Sequence, residues 1–430
     1  MPVFTSSLEV TADYPTIKPS LNLNFAKARA LDPSIKFTRD SGGTYVSRDG
    51  QIKSAGINEP RFDHDPVTLE SLGLLIEESR TNIVYGDPGA SNVVVTSGQA
   101  NSLTDSNDAY KLAKNSPTTS QSHGGWSIDG TVSQTSYVMS IFVKKINHSK
   151  FFIQTVSTSA SDNLYVYYDI DTGVTSSTDF GTPGNLTVSP VIQTHRDGWY
   201  RLVVVIEGSS STNLIGGFRF GFGQASNGAQ QYQNTDHEVL VYGAQIENGS
   251  FVTSYIPSAG STSAVTRGAD NAEIKYDGWY DNSSSIKPST FVGKFQVYNL
   301  GATRMVAEGS DGSTLKDFSM NTLAGAGNFQ FVHRYTANNS YDSTEGSNIT
   351  INTPVTFAFS YNGTGGDITG SANGSTPNVG TDDLGTTSQA GGDRMRIGSR
   401  GNNSLYLNGT ISELRYYKFK ASSDQLLLLQ

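Results

Sequence analysis

Strand-like sequence is clearest in DGWYRLVVVIEGSSS (Asp197–Ser211), HEVLVYGAQIENGSFVTSYIPS (His237–Ser258) and VTRGAD (Val265–Asp270). The first two contain apolar runs rich in Val, Ile and Tyr, bounded by Gly, Ser and Asn, which is the pattern of a β-strand between turns. The third is a short extended run after which the pattern starts afresh. Together these runs predict the last strands of an antiparallel sandwich and the boundary to a second domain. They contain no catalytic motif.

Composition extends this interpretation to the whole chain. Its 430 residues are enough for two or three domains, each with its own core. Charged residues make up 16% of the chain, below the roughly 25% of an average soluble protein, and Ser, Thr, Asn and 45 Gly take their place. That mixture favours short strands and turns over helices. The sequence therefore predicts an all-β fold, with two antiparallel β-sandwich (jelly-roll) domains preceded by a small β-rich N-terminal segment.

Several classes of protein are disfavoured by charge and residue usage. A net charge of −9 argues against nucleic acid as the main partner, because phosphate binding needs clustered Lys and Arg. The absence of Cys excludes disulfides and thiolate metal sites, and it fits assembly in a reducing bacterial cytoplasm. The start, MPVFTSSLEV, does not have the pattern of a signal peptide, and no apolar run approaches the ~18 residues of a membrane helix. We therefore expect neither nucleic-acid binding nor membrane insertion.

Turn signals divide the chain into four predicted parts: an N-terminal segment (1–82), a first sandwich (83–257), a linker (258–269) and a second sandwich (270–430). Strand candidates recur through both sandwiches. In the first they are Tyr137–Lys145, Lys150–Val156, Asn163–Gly173, Trp199–Gly208, Ile215–Gly223 and Glu238–Glu247. In the second they are Ser289–Val297, Met305–Gly312, Asp317–Thr322, Asn328–Thr336, Pro354–Gly363, Asp393–Ser399 and Asn408–Lys418.

Three local patterns complete this outline. The run LGLLIEES (Leu72–Ser79) is compatible with either a strand or one helical turn. The stretch from Asn362 to Gly392 is almost free of apolar residues and predicts loops with at most one short strand. Near the end of the chain, SSDQLLLL predicts a short helix capped by Ser422 or Ser423.

Three segments resemble known modules. ARALDPSIKFTRDSGGTYVSRDGQIKSAGINEPRFDHDPVTLESLGLLIEESRTNIV (Ala28–Val84) resembles a segment of many tailed-bacteriophage virion proteins. WYRLVVVI, VYGAQIENGSFVTSYIPS and TRGAD resemble the carbohydrate-binding-like jelly roll that often follows that segment. NGTISELRYYKFKASSDQLLLL (Asn408–Leu429) resembles the end of a concanavalin A-like, or laminin G-like, sandwich.

The resemblance implies a structural protein on the outer surface of a phage particle, in a tail fibre, a tail appendage or a capsid decoration. Its N-terminal segment would dock to other virion proteins, and the chain would form a homo-oligomer, with a trimer expected. The loops of its two sandwiches would bind host-surface polysaccharide. Seven residues align with scaffold positions of the family rather than with ligand contacts: Trp199, Tyr200, Gly243, Ala244, Gln245, Tyr255 and Pro257.

Enzymatic signatures are missing from the sequence. It has no G-x-S-x-G elbow, no phosphate-binding P-loop, no H-E-x-x-H and no E-x-D-x-x-E strand of the concanavalin-like glucanases. We therefore expect a protein that is not an enzyme. Two alternatives stay open: a decoration or connector protein without a ligand, and a polysaccharide depolymerase whose paired carboxylates come from distant parts of the chain.

Acidic clusters give the candidate metal ligands. Asp382 and Asp383 lie in the loop-rich part of the second sandwich, where such folds sometimes hold calcium, although a solvated loop is the favoured interpretation. The clusters Asp63–Asp65 and Asp169–Asp171 are better explained as turns. No cofactor is expected beyond a possible structural calcium ion.

Candidate glycan contacts are chosen from aromatic and polar residues in loop-like sequence. Trp126, with His123 nearby, lies in a polar Gly-rich stretch and is the best candidate for an exposed aromatic ring, with a core position as the alternative. Tyr341 and Arg400 are further candidates at the rim of the second sandwich. Trp199 is predicted to be a core residue, because it begins an apolar strand.

Overall fold

The computed structural model describes residues 18–28, 30–114, 123–129, 136–156, 163–180, 186–208, 217–223, 236–281, 287–312, 315–325, 327–336, 339–345, 349–362, 368–380 and 392–430. More than half of these residues lie in antiparallel strands and only a few are helical, which confirms the predicted all-β fold. All thirteen strand candidates listed for the two sandwiches coincide with observed strands. No helix among the described residues is long and apolar enough to span a membrane.

The described strands are numbered β1 to β31; one α-helix, α1, lies near the end of the chain, and a 3-10 turn at Arg196–Gly198 precedes β17. Their bounds are β1 Leu21–Asn24, β2 Ile35–Thr38, β3 Gly43–Val46, β4 Ile52–Ala55, β5 Phe62–His64, β6 Ser71–Ile76, β7 Arg80–Asn82, β8 Val84–Ser91, β9 Val94–Asn101, β10 Ser106–Ala113, β11 His123–Ile128, β12 Ser136–Lys145, β13 Lys150–Val156, β14 Asn163–Asp169, β15 Val174–Phe180, β16 Thr187–Thr194, β17 Trp199–Glu207, β18 Gly217–Phe222, β19 Glu238–Asn248, β20 Val265–Arg267, β21 Asn271–Lys275, β22 Pro288–Val297, β23 Arg304–Ser310, β24 Leu315–Thr322, β25 Phe329–Thr336, β26 Asn339–Glu345, β27 Val355–Asn362, β28 Ile368–Ala372, β29 Asn378–Gly380, β30 Arg394–Ile397, β31 Gly409–Tyr417 and α1 Ser423–Leu429.

The chain divides into two compact units. The central unit comprises Arg39–Ser71 and Ser79–Ala269, and the terminal unit comprises Leu72–Glu78, Asp270–Gln430 and the described part of Met1–Thr38. Residues 1–82, predicted as one N-terminal segment, therefore contribute to both units. Their strands have three to six residues, too few to enclose a core, and three of them extend sheets of the terminal unit: β1 and β6 pair with β31, and β2 pairs with β21.

The central unit contains two six-stranded sheets. The front sheet has the strand order β15-β14-β13-β18-β11-β8, and the back sheet has the order β16-β17-β12-β19-β10-β9. Side chains alternate between the two faces of each strand, so that Phe151 and Ile153 enter the core while Phe152 and Gln154 point to the opposite face. The shared core also includes Ile141 and Val204 from the back sheet, as expected for a sandwich.

The outer face of the back sheet is covered by a second apolar cluster around Trp199. Trp199 is fully buried among residues that include Ile52, Phe142 and Tyr255, and its Nε1 donates to Ser102 Oγ at 3.2 Å. Gln245 is also buried: its amide donates to Glu247 and its carbonyl accepts from the backbone N–H of Ile256. These contacts give Trp199, Gln245 and Tyr255 structural positions, in line with the scaffold role that the family resemblance implies.

The terminal unit has two sheets around an aromatic core. One has the order β29-β28-β27-β22-β31-β6, with β1 beside β31, and the other has the order β2-β21-β30-β23-β24-β25-β26. Phe291 contacts Phe318 at a centroid distance of 4.6 Å, and Phe331 stacks on Phe359 at 5.2 Å. Ser422 caps helix α1 in a capping box with Gln425.

Two local predictions are resolved by these strands. The run Leu72–Ser79 forms most of strand β6 rather than a helical turn, because Leu74 and Leu75 pair with β31. The polar stretch from Asn362 to Gly392 contains two short strands, β28 and β29, where at most one was predicted. All five residues of strand β28 are buried, but only Ile368 and Ala372 are apolar and the rest are Gly or small polar residues. Its sequence is therefore not the apolar run that would have predicted a strand.

Candidate functional site

Trp126 belongs to the core of the central unit. It lies in strand β11, is 8% exposed, and meets the ring of Phe218 edge to face at 5.5 Å. A buried ring cannot stack on a sugar, so the predicted glycan contact at Trp126 is not supported and the core alternative is. The Gly-rich sequence that looked like a loop is a strand, and alternation along it turns Trp126 inward.

His123 lies on the opposite face of the same strand. Its cross-strand partners are Gly221 of β18 and Ser91 of β8, and it is 8% exposed. Nδ1 is buried and has no hydrogen-bond partner within the described chain. Burial, and secondarily the charge of Arg219, lower the pKa of His123 to about 4, so the imidazole is neutral at pH 7. His123 therefore offers hydrogen-bonding capacity but no charge.

Arg219 is the cation of this outer face. It lies in β18, directly between Gly125 of β11 and Gln154 of β13, and its alternation with Phe218 and Phe220 places it on the side away from the core. The residue is half-buried. Among the residues that the structure describes, its guanidinium makes neither an ion pair nor a hydrogen bond.

Two glycines leave the backbone beside Arg219 open. Gly125 pairs with Gly89 of β8, and both lie on the outer face. A Cβ added at Gly125 would meet nothing nearer than 3.8 Å, and one added at Gly89 nothing nearer than 3.7 Å. Neither position requires glycine for packing, although glycine weakens a strand. Such glycines often mark the place where a ligand approaches the backbone closely.

Tyr85 and Ser127 complete this surface. They are directly opposite each other on β8 and β11, with Tyr85 half-buried and Ser127 exposed. Their neighbours Val84 and Trp126 enter the core, so both point outward. We call the outward set the front-face site; its residues are Tyr85, Gly89, His123, Gly125, Ser127 and Arg219.

Buried aromatic rings support the front-face site from one side. Phe152, Tyr165 and Tyr167 form a separate cluster on the outer face of β13 and β14. Tyr165 and Tyr167 stack with centroids 6.3 Å apart, and Phe152 meets Tyr165 edge to face at 5.7 Å. Gln154, beside Arg219, is opposite Tyr165. These contacts hold the strands on that side of Arg219 in one arrangement before any ligand binds.

The other predicted site residues lie in the terminal unit. Tyr341 is in strand β26, opposite His333, and nothing further is described of its side chain. Arg400 is partly exposed, and its Nε lies 3.5 Å from a carboxylate oxygen of the buried Glu308. Asp382 and Asp383 lie outside the described residues. The glycan contacts of Tyr341, Arg400 and His123 stay predictions.

Several carboxylates in the described part of the terminal unit are engaged by partners. Glu273 lies 3.2 Å from Arg394 and 3.4 Å from Arg396, and Tyr276 donates to Asp317 at 2.6 Å. Among the described residues, no group of three or more His, Asp or Glu is placed to hold a metal ion. The structural calcium stays a prediction.

Acid sensitivity of the central unit follows from a second buried histidine. His195 is 9% exposed, and burial together with Arg201 lowers its pKa to about 4. In the unfolded chain the pKa of this histidine is near 6.5. Above that pH its contribution to the free energy of unfolding is fully present; as the pH falls toward 4 the unfolded chain binds a proton that the folded chain does not, and this contribution is lost. The free energy of unfolding in urea should fall between pH 7.5 and pH 5. That fall should be roughly 2 kcal/mol larger for the native chain than for His195→Gln. Equal losses in both proteins would contradict this assignment.

Comparison with known proteins adds little to this geometry. No protein-family model matches the chain, and no curated protein sequence matches it. Among solved structures, the chain is similar to the CBM40 domain of Ruminococcus gnavus IT-sialidase bound to α2,3-sialyllactose, with 17% identity over 34% of this chain and 83% of that chain and a TM-score of 0.28. It is also similar to mouse laminin α1 domains LG4-5, with 12% identity over 69% of this chain and 84% of that chain and a TM-score of 0.23. Matches this weak assign no ligand to the chain.

Proposed function

We propose that this chain is a structural and binding protein of a tailed-phage particle that binds host-surface glycans at the front-face site. The sequence placed binding in loops at the tips of the two sandwiches. The groups proposed here lie instead on the outer face of the front sheet, in strands β8, β11 and β18. The observation that carries it is a half-buried cation without a partner among the described residues, beside two strand glycines that packing does not require.

The front-face site has the groups that sugar recognition needs. The ring of Tyr85 offers an apolar face for the C–H groups of a pyranose, and Ser127 and Arg219 offer hydrogen bonds to hydroxyls. Gly89 and Gly125 let the sugar approach the backbone. The groups lie on paired strands rather than on loops, so their spacing is set by the sheet register.

The phage setting rests on the resemblance of Ala28–Val84 to virion proteins, and the structural comparisons do not bear on it. Docking of residues 1–82 to other virion proteins and assembly into a homotrimer belong to the same proposal. A trimer would let three weak sites bind a polysaccharide together. Light scattering of the full chain tests this part: the proposal expects three times 46.1 kDa, and a monomer at all concentrations would remove it.

Substitution of Tyr85 tests the glycan site. Tyr85→Ala removes the apolar platform, and we expect its affinity for surface polysaccharide of the phage's host to fall roughly tenfold, or about 1.4 kcal/mol. Tyr45→Ala is the matched control, because Tyr45 is a half-buried tyrosine in β3, outside the front sheet. The measurement is surface plasmon resonance on immobilised polysaccharide.

Two results would redirect the proposal. Equal binding by Tyr85→Ala and the native chain would remove the front-face site. Release of new reducing ends from the polysaccharide during the same experiment would instead favour the depolymerase alternative. The absence of binding to every surface polysaccharide of the host would leave the purely architectural alternative.

A further inference from the structure

We infer that the front-face site selects glycans that carry a carboxylate, which forms an ion pair with Arg219. This inference rests on the proposed function and specifies its ligand as an acidic sugar. Three features support it: Arg219 has no partner among the described residues, its neighbours are uncharged, and the surface beside it lacks side chains at two glycines.

Arg219 differs from the buried arginines of the central unit in having no partner among the described residues. The buried Arg201 donates to the carbonyl of Thr253 at 2.8 Å, and the buried Arg61 donates to the carbonyl of Thr44 at 2.9 Å. Arg219 is half-buried, and the interaction found for it is the repulsive effect of its charge on His123. A partly desolvated cation without a counter-charge is unfavourable, and a ligand carboxylate would relieve that state.

The surroundings of Arg219 leave the front-face site with a single positive charge. Across the strands its neighbours are Gly125 and Gln154, which are uncharged. His123 is neutral at pH 7 because of burial. A planar guanidinium binds a carboxylate through two parallel hydrogen bonds, which gives both affinity and orientation. One fixed positive charge therefore suits a ligand with one negative charge per sugar.

The shape of the surface favours an acidic sugar over phosphate. Gly89, Gly125 and Tyr85 lie on the outer face of strands β8 and β11, and the two glycines have no side chain to keep a pyranose ring away from the backbone beside Arg219. A phosphate group carries up to two charges and is usually held by several donors together.

The test uses full-length protein and three hexasaccharides: oligogalacturonate, its carboxyl-reduced neutral form, and that reduced form after sulfation. We expect isothermal titration to show at least tenfold tighter binding of the oligogalacturonate than of either other ligand. Arg219→Gln should abolish this preference, and Arg219→Lys should restore part of it. Arg48→Gln, an exposed arginine in the β3–β4 turn, should behave like the native chain.

Gly125→Val separates the inference from the proposed function. An added Cβ has room at this position, so the variant should fold with an unchanged circular-dichroism spectrum, while its side chain blocks all three ligands. If Gly125→Val loses binding but the native chain binds neutral, sulfated and acidic hexasaccharides equally, the carboxylate inference is wrong and the glycan site stands. If folded Gly125→Val binds like the native chain, or the native chain binds none of the three, the site and the inference both fall.

Discussion

Trp199→Ala is expected to destabilise the central unit by about 3–5 kcal/mol, the usual effect of truncating a fully buried tryptophan. The indole is 0% exposed and packs among Ile52, Leu103, Phe142 and Tyr242 on the outer face of the back sheet. Alanine would leave a cavity there and would also free Ser102 Oγ from the indole N–H. For a unit of this size, the melting temperature should fall by roughly 2–4 °C for each kcal/mol.

Two further variants separate packing from hydrogen bonding at Trp199. Trp199→Phe keeps most of the ring contact and should lose clearly less stability than alanine. Ser102→Ala removes the hydrogen-bond acceptor alone and should cost about 1 kcal/mol. Unfolding in urea, followed by circular dichroism, measures all three. A loss below about 1 kcal/mol for Trp199→Ala would contradict a packed interior at this position.

Gly73→Ala should destabilise the terminal unit by roughly 2–5 kcal/mol, through backbone strain and a clash together. Gly73 has φ +98°, and an added Cβ would lie 2.1 Å from the carbonyl oxygen of Ile411 in the paired strand β31. The contacted atom belongs to the backbone, so it cannot move aside as a side chain can.

Gly325→Ala is the matched control for Gly73→Ala. Gly325 also has positive φ, +71°, but an added Cβ would meet no atom within 4 Å. Gly325→Ala should therefore lose only the stability that a positive φ angle costs an alanine, about 1–2 kcal/mol. Thermal melts of both variants give the comparison. Equal losses would mean that β6 does not approach β31 as closely as the structure has it.

Strand positions were predictable where apolar and polar residues alternate or where apolar runs are long. WYRLVVVIEG is strand β17, and VTFAFSYN is strand β27 with Phe357 and Phe359 buried. The pairing of strands was much harder to predict, because a strand is stabilised by neighbouring strands that are distant in sequence. Strand β1 pairs with β31, almost 400 residues away, so residues 1–82 looked like one small unit when they were considered alone.

The front-face site was only partly predictable. His123 was a candidate from the start, but it was paired with Trp126, which strand alternation turns to the other face. Arg219 carried a signal in the run GFRFGF (Gly217–Phe222), where phenylalanines alternate with glycine and arginine. That alternation marks Arg219 as an outward residue. Only the pairing of β11 with β8 and β18 brings it opposite Gly125 and onto the same face as Tyr85 and His123.

A crystal structure of the full chain with bound oligogalacturonate tests the central claim most directly. The account predicts that a sugar carboxylate lies within hydrogen-bond distance of the Arg219 guanidinium, with a sugar ring against Tyr85 and over Gly125. A sugar bound in the terminal unit, for example beside Arg400, with the front-face site empty, would contradict it.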